Sequence, residues 1–370
     1  IKSMLSLTFI LIFMQSRIFS SHKKMHSKRN NPFFIKTIFC VSCFCISVTA
    51  TAQDIHYSQF NAAIQNLSPA QTGLFDDDWR LNGNIRSQWA SVPVPYKTFS
   101  IAADTRLKTK LKNDVPAAGL QINADQAGDS KFTTVQVMLS GAYVKKLNKD
   151  STHFLSLAIQ PGFTTRSFNL NALSFDTQYN GDAYDKSFSS QESFSRTRIT
   201  YMEIGAGLGY LWRKSNRQLI NIGFSALHLN TPKQSFLNEE GVRLDIKTNM
   251  SGLAEFPITE KVDLIPTFLY QQQGTFTECV VGGFGKYYLK PIDGITTAIS
   301  LGAFYRLKDA VVLAAGMDYK NYTVGISYDV NTSKLIAATN QHGGFELSII
   351  YIFKKAIPFI AKKRVCPIFM

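Results

Sequence analysis

Between residues 79 and 89 the chain alternates without a break, and this pattern limits the fold more than any other feature. Trp79, Leu81, Gly83, Ile85, Ser87 and Trp89 fall on one side; Arg80, Asn82, Asn84, Arg86 and Gln88 fall on the other. Successive side chains of a strand point to opposite faces. One face is therefore apolar with an aromatic at each end, and the other is wholly polar. A tilted strand of about ten residues crosses a bilayer, and the two tryptophans sit where interfacial girdles belong.

The pattern recurs. Phe99, Ile101 and Ala103 alternate with Ser100, Ala102 and Asp104; Val135, Val137 and Leu139 with Thr134, Gln136 and Met138. Met202, Ile204, Ala206, Leu208 and Tyr210 alternate with Glu203 and three glycines, and Ile220, Ile222 and Phe224 with Asn221, Gly223 and Ser225. About fourteen such segments can be laid out at the expected strand length of roughly ten residues. They begin near Trp79, Tyr96, Ala117, Phe132, His153, Tyr201, Leu219, Arg243, Val262, Glu278, Thr297, Val311, Tyr322 and Gly344. With both ends of the wall in the periplasm, the longest gaps (164–200, 229–242, 330–343) all face outward, and 213–218 and 320–321 face inward. Long loops outside and short turns inside are the rule for bacterial barrels. A soluble β-protein also alternates, but it has no reason to place loops this way. The expectation is an all-β chain, a transmembrane antiparallel β-barrel over 79–353. In that scheme Ile222 faces lipid and Asn221 the lumen, so arginine should be rejected at 222 and tolerated at 221.

The net charge of +14 raises the question of nucleic acid. Seven cations fall in residues 1–52 without a carboxylate, and five more (Lys354, Lys355, Lys362, Lys363, Arg364) fall in the last seventeen residues. The body between is near neutral and has no basic stripe with interleaved aromatics, which argues against a nucleic-acid partner. Lys28, Arg29 and Lys36 precede an apolar run from Thr37 to Val48, followed by Ala50-Thr51-Ala52. This reads as an export signal cut before Gln53. Met25 is the natural start, which makes 1–24 an upstream extension; alternatively Leu5–Met14 is an anchor. Cys40, Cys43 and Cys45 leave with the signal, and Cys279 and Cys366 do not make a disulfide framework.

Chemistry-bearing motifs are sparse. His56, His153, His228 and His342 do not pair at metal-ligand spacing, and no nucleophile elbow occurs. No catalytic, metal or cofactor residues are assigned. Gly205-Ala206-Gly207-Leu208-Gly209 lies inside an alternating strand with its glycines inward, where they make room in the lumen. Arg86, Asp104, Arg106 and Glu203 also project inward, as a channel lining or as a satisfied ion-pair network. Residues 53–78 do not alternate; they either plug the lumen or lie in the periplasm. The basic tail, 354–370, is either a periplasmic contact element or a disordered end.

Several short motifs resemble one family. Asp54-Ile55-His56-Tyr57-Ser58-Gln59-Phe60 resembles the D-x-H-[FY]-S-Q-F opening of the PorP/SprF family, and Leu67-Ser68-Pro69-Ala70-Gln71-Thr72-Gly73 its L-N-P-A-x-x-G, with Ser68 in place of Asn. Arg86–Trp89, Gly223–His228 with Pro232 and Ser235-Phe236, Ser327–Asn331, Gly344–Ser348 and Cys366-Pro367-Ile368-Phe369 are similar to further family segments, in order along the chain. The resemblance implies a type IX secretion system outer-membrane protein of the Bacteroidota, without enzymatic activity. It further implies gliding motility and the secretion or surface attachment of adhesin cargo with a type B C-terminal domain. The implied partners are outer-membrane lipid, the secretion machinery and that cargo; an outer-membrane porin or solute channel is the alternative. Asp54, His56, Tyr57, Gln59, Phe60, Cys366, Pro367 and Phe369 are the candidate partner-contact residues.

Overall fold

The computed structural model describes residues 54–88, 94–110, 114–292, 295–333 and 342–353. Trp89, the export signal and the tail from Lys354, with Cys366, Pro367 and Phe369, lie outside the described residues. Contacts group Ile55–Gln273 with Thr277–Met370 as one compact unit and Ile1–Asp54 with Gly274–Phe276 as another. The first unit holds the barrel.

Fourteen antiparallel strands close on themselves in sequence order, with β1 paired to β14. They are β1 (Trp79–Gln88), β2 (Tyr96–Arg106), β3 (Asp114–Ala127), β4 (Phe132–Lys146), β5 (His153–Ser167), β6 (Arg198–Ser215) and β7 (Gln218–Leu227). The second half comprises β8 (Lys247–Pro257), β9 (Val262–Gln273), β10 (Phe276–Ile292), β11 (Ile295–Arg306), β12 (Ala310–Tyr319), β13 (Tyr322–Asn331) and β14 (His342–Phe353). The expected starts agree closely, with one correction. Arg243 does not open a strand. Of the alternating Val242, Leu244 and Ile246 only Leu244 is buried, where 228–246 folds back on itself. Leu244 donates its amide to the Pro232 carbonyl and Gln234 to that of Val242. Leu244 then packs with Ile199, Tyr201 and Phe236, beside Phe168 and Phe194 of 168–197. β8 begins at Lys247 instead.

The two faces differ as an outer-membrane wall requires. Outward positions stay exposed and apolar: Ile85, Ile101, Leu139, Leu157, Ile159, Leu208, Ile222, Leu301, Leu313 and Ile349 form the band. Exposed aromatics rim it at both ends, with Trp79, Tyr143, Tyr319, Tyr322 and Phe353 on one side and Phe99, Phe163, Phe224, Tyr305 and Phe345 on the other. Tyr351 packs against both Tyr322 and Phe353, with ring centroids 4.4 and 4.5 Å apart. Trp79 and Phe353 are register partners where the sheet closes. Inward positions are buried and polar, as in Arg80, Asn82, Asn84 and Arg86 of β1.

The connections are unequal. At one end they are short: 107–113, 147–152, 216–217, 258–261, 293–294 and 320–321. At the other lie the three longest, 168–197, 228–246 and 332–341, together with 89–95, 128–131, 274–275 and 307–309. The barrel rule assigns the long-loop end to the outside and the short-turn end to the periplasm.

Candidate functional site, the filled lumen

The residues ahead of β1 do not lie beside the wall; they occupy its interior. They carry little regular structure: one four-residue helix, α1 (Ile64–Leu67), and a 3-10 turn at Pro69–Gln71. Ser68 caps that turn by accepting from the Ala70 amide, and Pro69 at its first position already has the required φ. A helix this short has no stability of its own. The wall therefore sets the path of the segment.

The path runs from the long-loop end to the short-turn end. Lys247, at the start of β8, donates to the Ile55 carbonyl at 3.1 Å. Ser58 and Gln59 meet β13 and β14 near the same end. Gln65 reaches Asp104 and Asn82; Asn66 donates to Ser100 and accepts from Gln121 and Asn123. The Leu67 carbonyl accepts from Ser225 and Asn249. Gln71 and Asn221 exchange an amide pair at 2.8 and 3.0 Å, and Thr72 meets Ser140 at 2.9 Å. Leu74 then packs with Val144, Phe154 and Leu211 beside the short turns. Phe60 joins Leu269, Val280, Phe304 and Val312, and Ala70 joins Ala117, Ala142 and Ala158. Through these bonds and clusters the segment engages each strand of the barrel.

Two ionic groups anchor it. Near the short turns, Asp104 takes Arg80 through both oxygens at 3.0 and 2.8 Å, and also accepts from Gln65 and the Gly73 amide. Gly73 sits at φ +73°, and a Cβ there would also collide with Ala117, so glycine is required twice over. Near the long loops, Arg86 and Arg306 both donate to the Ser58 hydroxyl at 2.7 Å, and that hydroxyl donates to Asp329 at 2.7 Å. Arg86 also pairs with Asp329 and Glu346, and Arg306 with Glu278 and Asp329. Glu346 accepts the Ser58 and Gln59 amides at 2.8 and 3.1 Å, one on each oxygen. These groups are nearly fully buried, where unpaired charges would be costly; each charge has an opposite partner, while Arg86 Nε and Asp329 Oδ1 make no hydrogen bond among the described residues.

The inward glycines of β6 have a specific reason. A Cβ on Gly207 would lie 2.6 Å from Ser68 Oγ and 3.1 Å from the Ala70 nitrogen; one on Gly209 would lie 3.1 Å from Leu74. They make room for the plug itself. Of the candidate contact residues, Tyr57, Gln59 and Phe60 are buried in the lumen, and Asp54 and His56 are half-buried. Asn221 faces inward as expected, and its amide is engaged by Gln71, so arginine there must displace the plug side chain. Sequence reasoning placed Arg86, Asp104, Arg106 and Glu203 inward. It missed the union of Asp329, Glu346 and Ser58, because Arg86 and Glu346 become neighbours only when the first and last strands pair. Outside the plug, Glu203 meets His228 Nδ1 at 2.9 Å and His153 meets Tyr210 at 2.7 Å. Among the described residues no group of three His, Cys, Asp or Glu side chains could hold a metal.

Solved structures similar to this chain include the Pseudomonas putida toluene transporter TodX, with 8% identity, 81% of this chain and 95% of that one covered, and a TM-score of 0.46. Others are a Pseudomonas aeruginosa FadL homologue (10%; 77% and 93%; 0.43) and the CymD monoaromatic hydrocarbon channel (11%; 80% and 93%; 0.44). Likeness this distant carries no functional statement. No curated protein matches the chain in sequence. The family model described as type IX secretion system membrane protein PorP/SprF matches residues 49–351, which takes in the plug and all but the end of the last strand. A closed wall with a lipid-facing band and a match over most of its length lead to one assignment: the chain belongs to the PorP/SprF family, as an outer-membrane component of the type IX secretion system.

Proposed function

We propose that this barrel is a non-enzymatic part of the secretion apparatus. In this reading it supports the secretion or surface attachment of an adhesin with a type B C-terminal domain and, through that adhesin, gliding motility. The filled lumen carries the reading. A porin or solute channel, the alternative, needs a continuous water path. Here residues 55–74 span the interior and bond to opposite walls. A closed wall leaves partner binding as its task. The proposed contacts are Asp54 and His56 at the leading end and Cys366, Pro367 and Phe369 in the tail. The tail's five cations suit an acidic periplasmic surface. Tyr57, Gln59 and Phe60 would join them only on leaving the lumen.

Two measurements test this. The intact chain should show no steady conductance in planar bilayers; an open, ohmic pore would favour the channel. Deleting Lys362–Met370 should leave a folded, heat-modifiable barrel in the membrane while the cognate adhesin disappears from the cell surface. Normal display from the truncated chain would remove the tail from the mechanism.

A further inference from the structure

At the long-loop end, three consecutive residues of the plug are each read by their own seat in the wall. The Ser58 hydroxyl is held by Arg86, Arg306 and Asp329. The Gln59 amide donates to the Glu346 carbonyl at 3.0 Å and accepts from Ser348 at 2.7 Å. Gly325 leaves the space for it, since a Cβ there would collide with Gln59 Oε1. Phe60 fills an apolar hollow of Leu269, Val280, Phe304, Val312 and Ala314 and meets the Phe304 ring edge-on at 6.2 Å. The backbone is read as well, through the two amides on Glu346. Residues 58–60 themselves form no helix or strand. The recognition belongs to the wall, and its occupant is a stretch of peptide with almost no internal structure.

We propose that this part of the lumen is a peptide-binding site, filled in cis by Ser58–Phe60, and that it takes in trans an extended peptide presenting a small hydroxyl, a primary amide and an aromatic side chain in succession. The chemistry of the seat suits exchange. Most of its groups are charged or polar: Arg86, Arg306, Glu278, Asp329, Glu346 and Ser348. When the segment leaves, water enters and solvates them, and the loss of apolar burial is confined to the hollow of Phe60. The segment is continuous with the wall only through 75–78, at the opposite end of the barrel, so Ser58–Phe60 can lift out without breaking a strand. A competing peptide must overcome tethering, which holds the cis segment at roughly millimolar effective concentration.

The test uses the full chain with Cys279→Ser and Cys366→Ser, to which Phe60→Cys is added. That change removes the ring from its hollow and places a reporter thiol in the site. The thiol should react with a charged methanethiosulfonate reagent in the folded, heat-modifiable protein. The same variant should bind a fluorescent peptide of residues 54–67 saturably at micromolar concentration. The chain with Phe60 intact should bind it at least about tenfold more weakly, because the tethered segment competes. Adding Gly325→Val, which fills the Gln59 seat, should abolish the binding. If Phe60→Cys does not assemble, Gln59→Cys serves the same assay. An unreactive thiol would show that the segment does not exchange and would overturn the proposal. A reactive thiol without saturable peptide binding would overturn it equally, by showing that the vacated seat does not recognise peptide.

Discussion

Gly207 offers the sharpest test of where the plug lies. Its inward Cβ position is 2.6 Å from Ser68 Oγ and 3.1 Å from both the Ala70 nitrogen and the Pro69 ring. Alanine there overpacks a tight contact, at a typical cost of about 1–3 kcal/mol. Lifting the segment away from β6 would sacrifice five hydrogen bonds: those of Leu67 to Ser225 and Asn249, of Ser68 to the Phe224 carbonyl, and the pair between Gln71 and Asn221. At about 1 kcal/mol each, net, that is roughly 5 kcal/mol. The strain of alanine is the smaller number, so the plug should stay seated and stability should fall. Leucine drives three further carbons along the same line into backbone, and β6 cannot retreat because β5 and β7 hold it on both sides. The plug must then move. Ala70→Cys, at a position with no exposure, reports this. Its thiol should be inert with Gly207 or with Gly207→Ala, and should react with a charged reagent when Gly207→Leu is added. Gly141→Leu, on the exposed outer face with nothing within 4 Å, should leave both stability and reactivity unchanged. An inert thiol in Gly207→Leu, with unfolding by urea unaltered, would place the segment elsewhere.

The anchor near the short turns gives a second expectation. Asp104→Ala strands Arg80, Gln65 and the Gly73 amide in a buried site, and should cost about 3–5 kcal/mol in urea unfolding; with Arg80→Met also present the loss should be smaller than the sum, whereas strict additivity would mean the pair is not coupled. Ile222→Arg should impair assembly by about 2–4 kcal/mol, as expected for a lipid-facing midplane position. Asn221→Arg should assemble but unseat Gln71, detected as new thiol reactivity at Ala70→Cys; full assembly of Ile222→Arg would reverse the faces. A tag at Asp182, in 168–197, should be labelled on intact cells and one at Asn216 only after the outer membrane is opened. Labelling of Asn216 on intact cells would invert the barrel.

The wall was legible because a strand that crosses lipid must satisfy two solvents at once. That demand writes itself residue by residue: β1, β2, β4, β5, β9 and β13 begin at the very residues where the alternation begins. The exception is instructive. Val242, Leu244 and Ile246 alternate outside any strand, Leu244 buried under a folded loop and the other two exposed, and period two alone does not say what covers an apolar face. The plug was legible only as a segment that is not wall. Its bonds join residues as far apart as Ser58 and Glu346, or Gln71 and Asn221. Such neighbours are set by strand closure and by the relative register of fourteen strands, and no local pattern records either. The glycines of β6 were a local trace of the plug. They ask for space on the inward face, and only the fold shows what uses it.

A polar plug in a polar wall follows from barrel size. Around eight strands, inward side chains just fill the interior; with more strands the interior widens beyond their reach. At fourteen strands the wall alone would enclose water, and sealing it needs added chain. An apolar filling would require an apolar inner face, and a strand with two apolar faces loses the alternation that distinguishes lumen from lipid. The inner face must stay mostly polar for the wall to assemble in one register, so the filling is mostly polar too, with Phe60 and Leu74 seated in local apolar hollows. Its bonds then replace bonds to water, at a net gain of about 1 kcal/mol each, while the lipid-facing band and the strand ladder hold the wall. Closure of the lumen is thereby separated from stability of the barrel. The wall can persist while the segment comes and goes, and the charged seat around Ser58 is the point at which that exchange is decided.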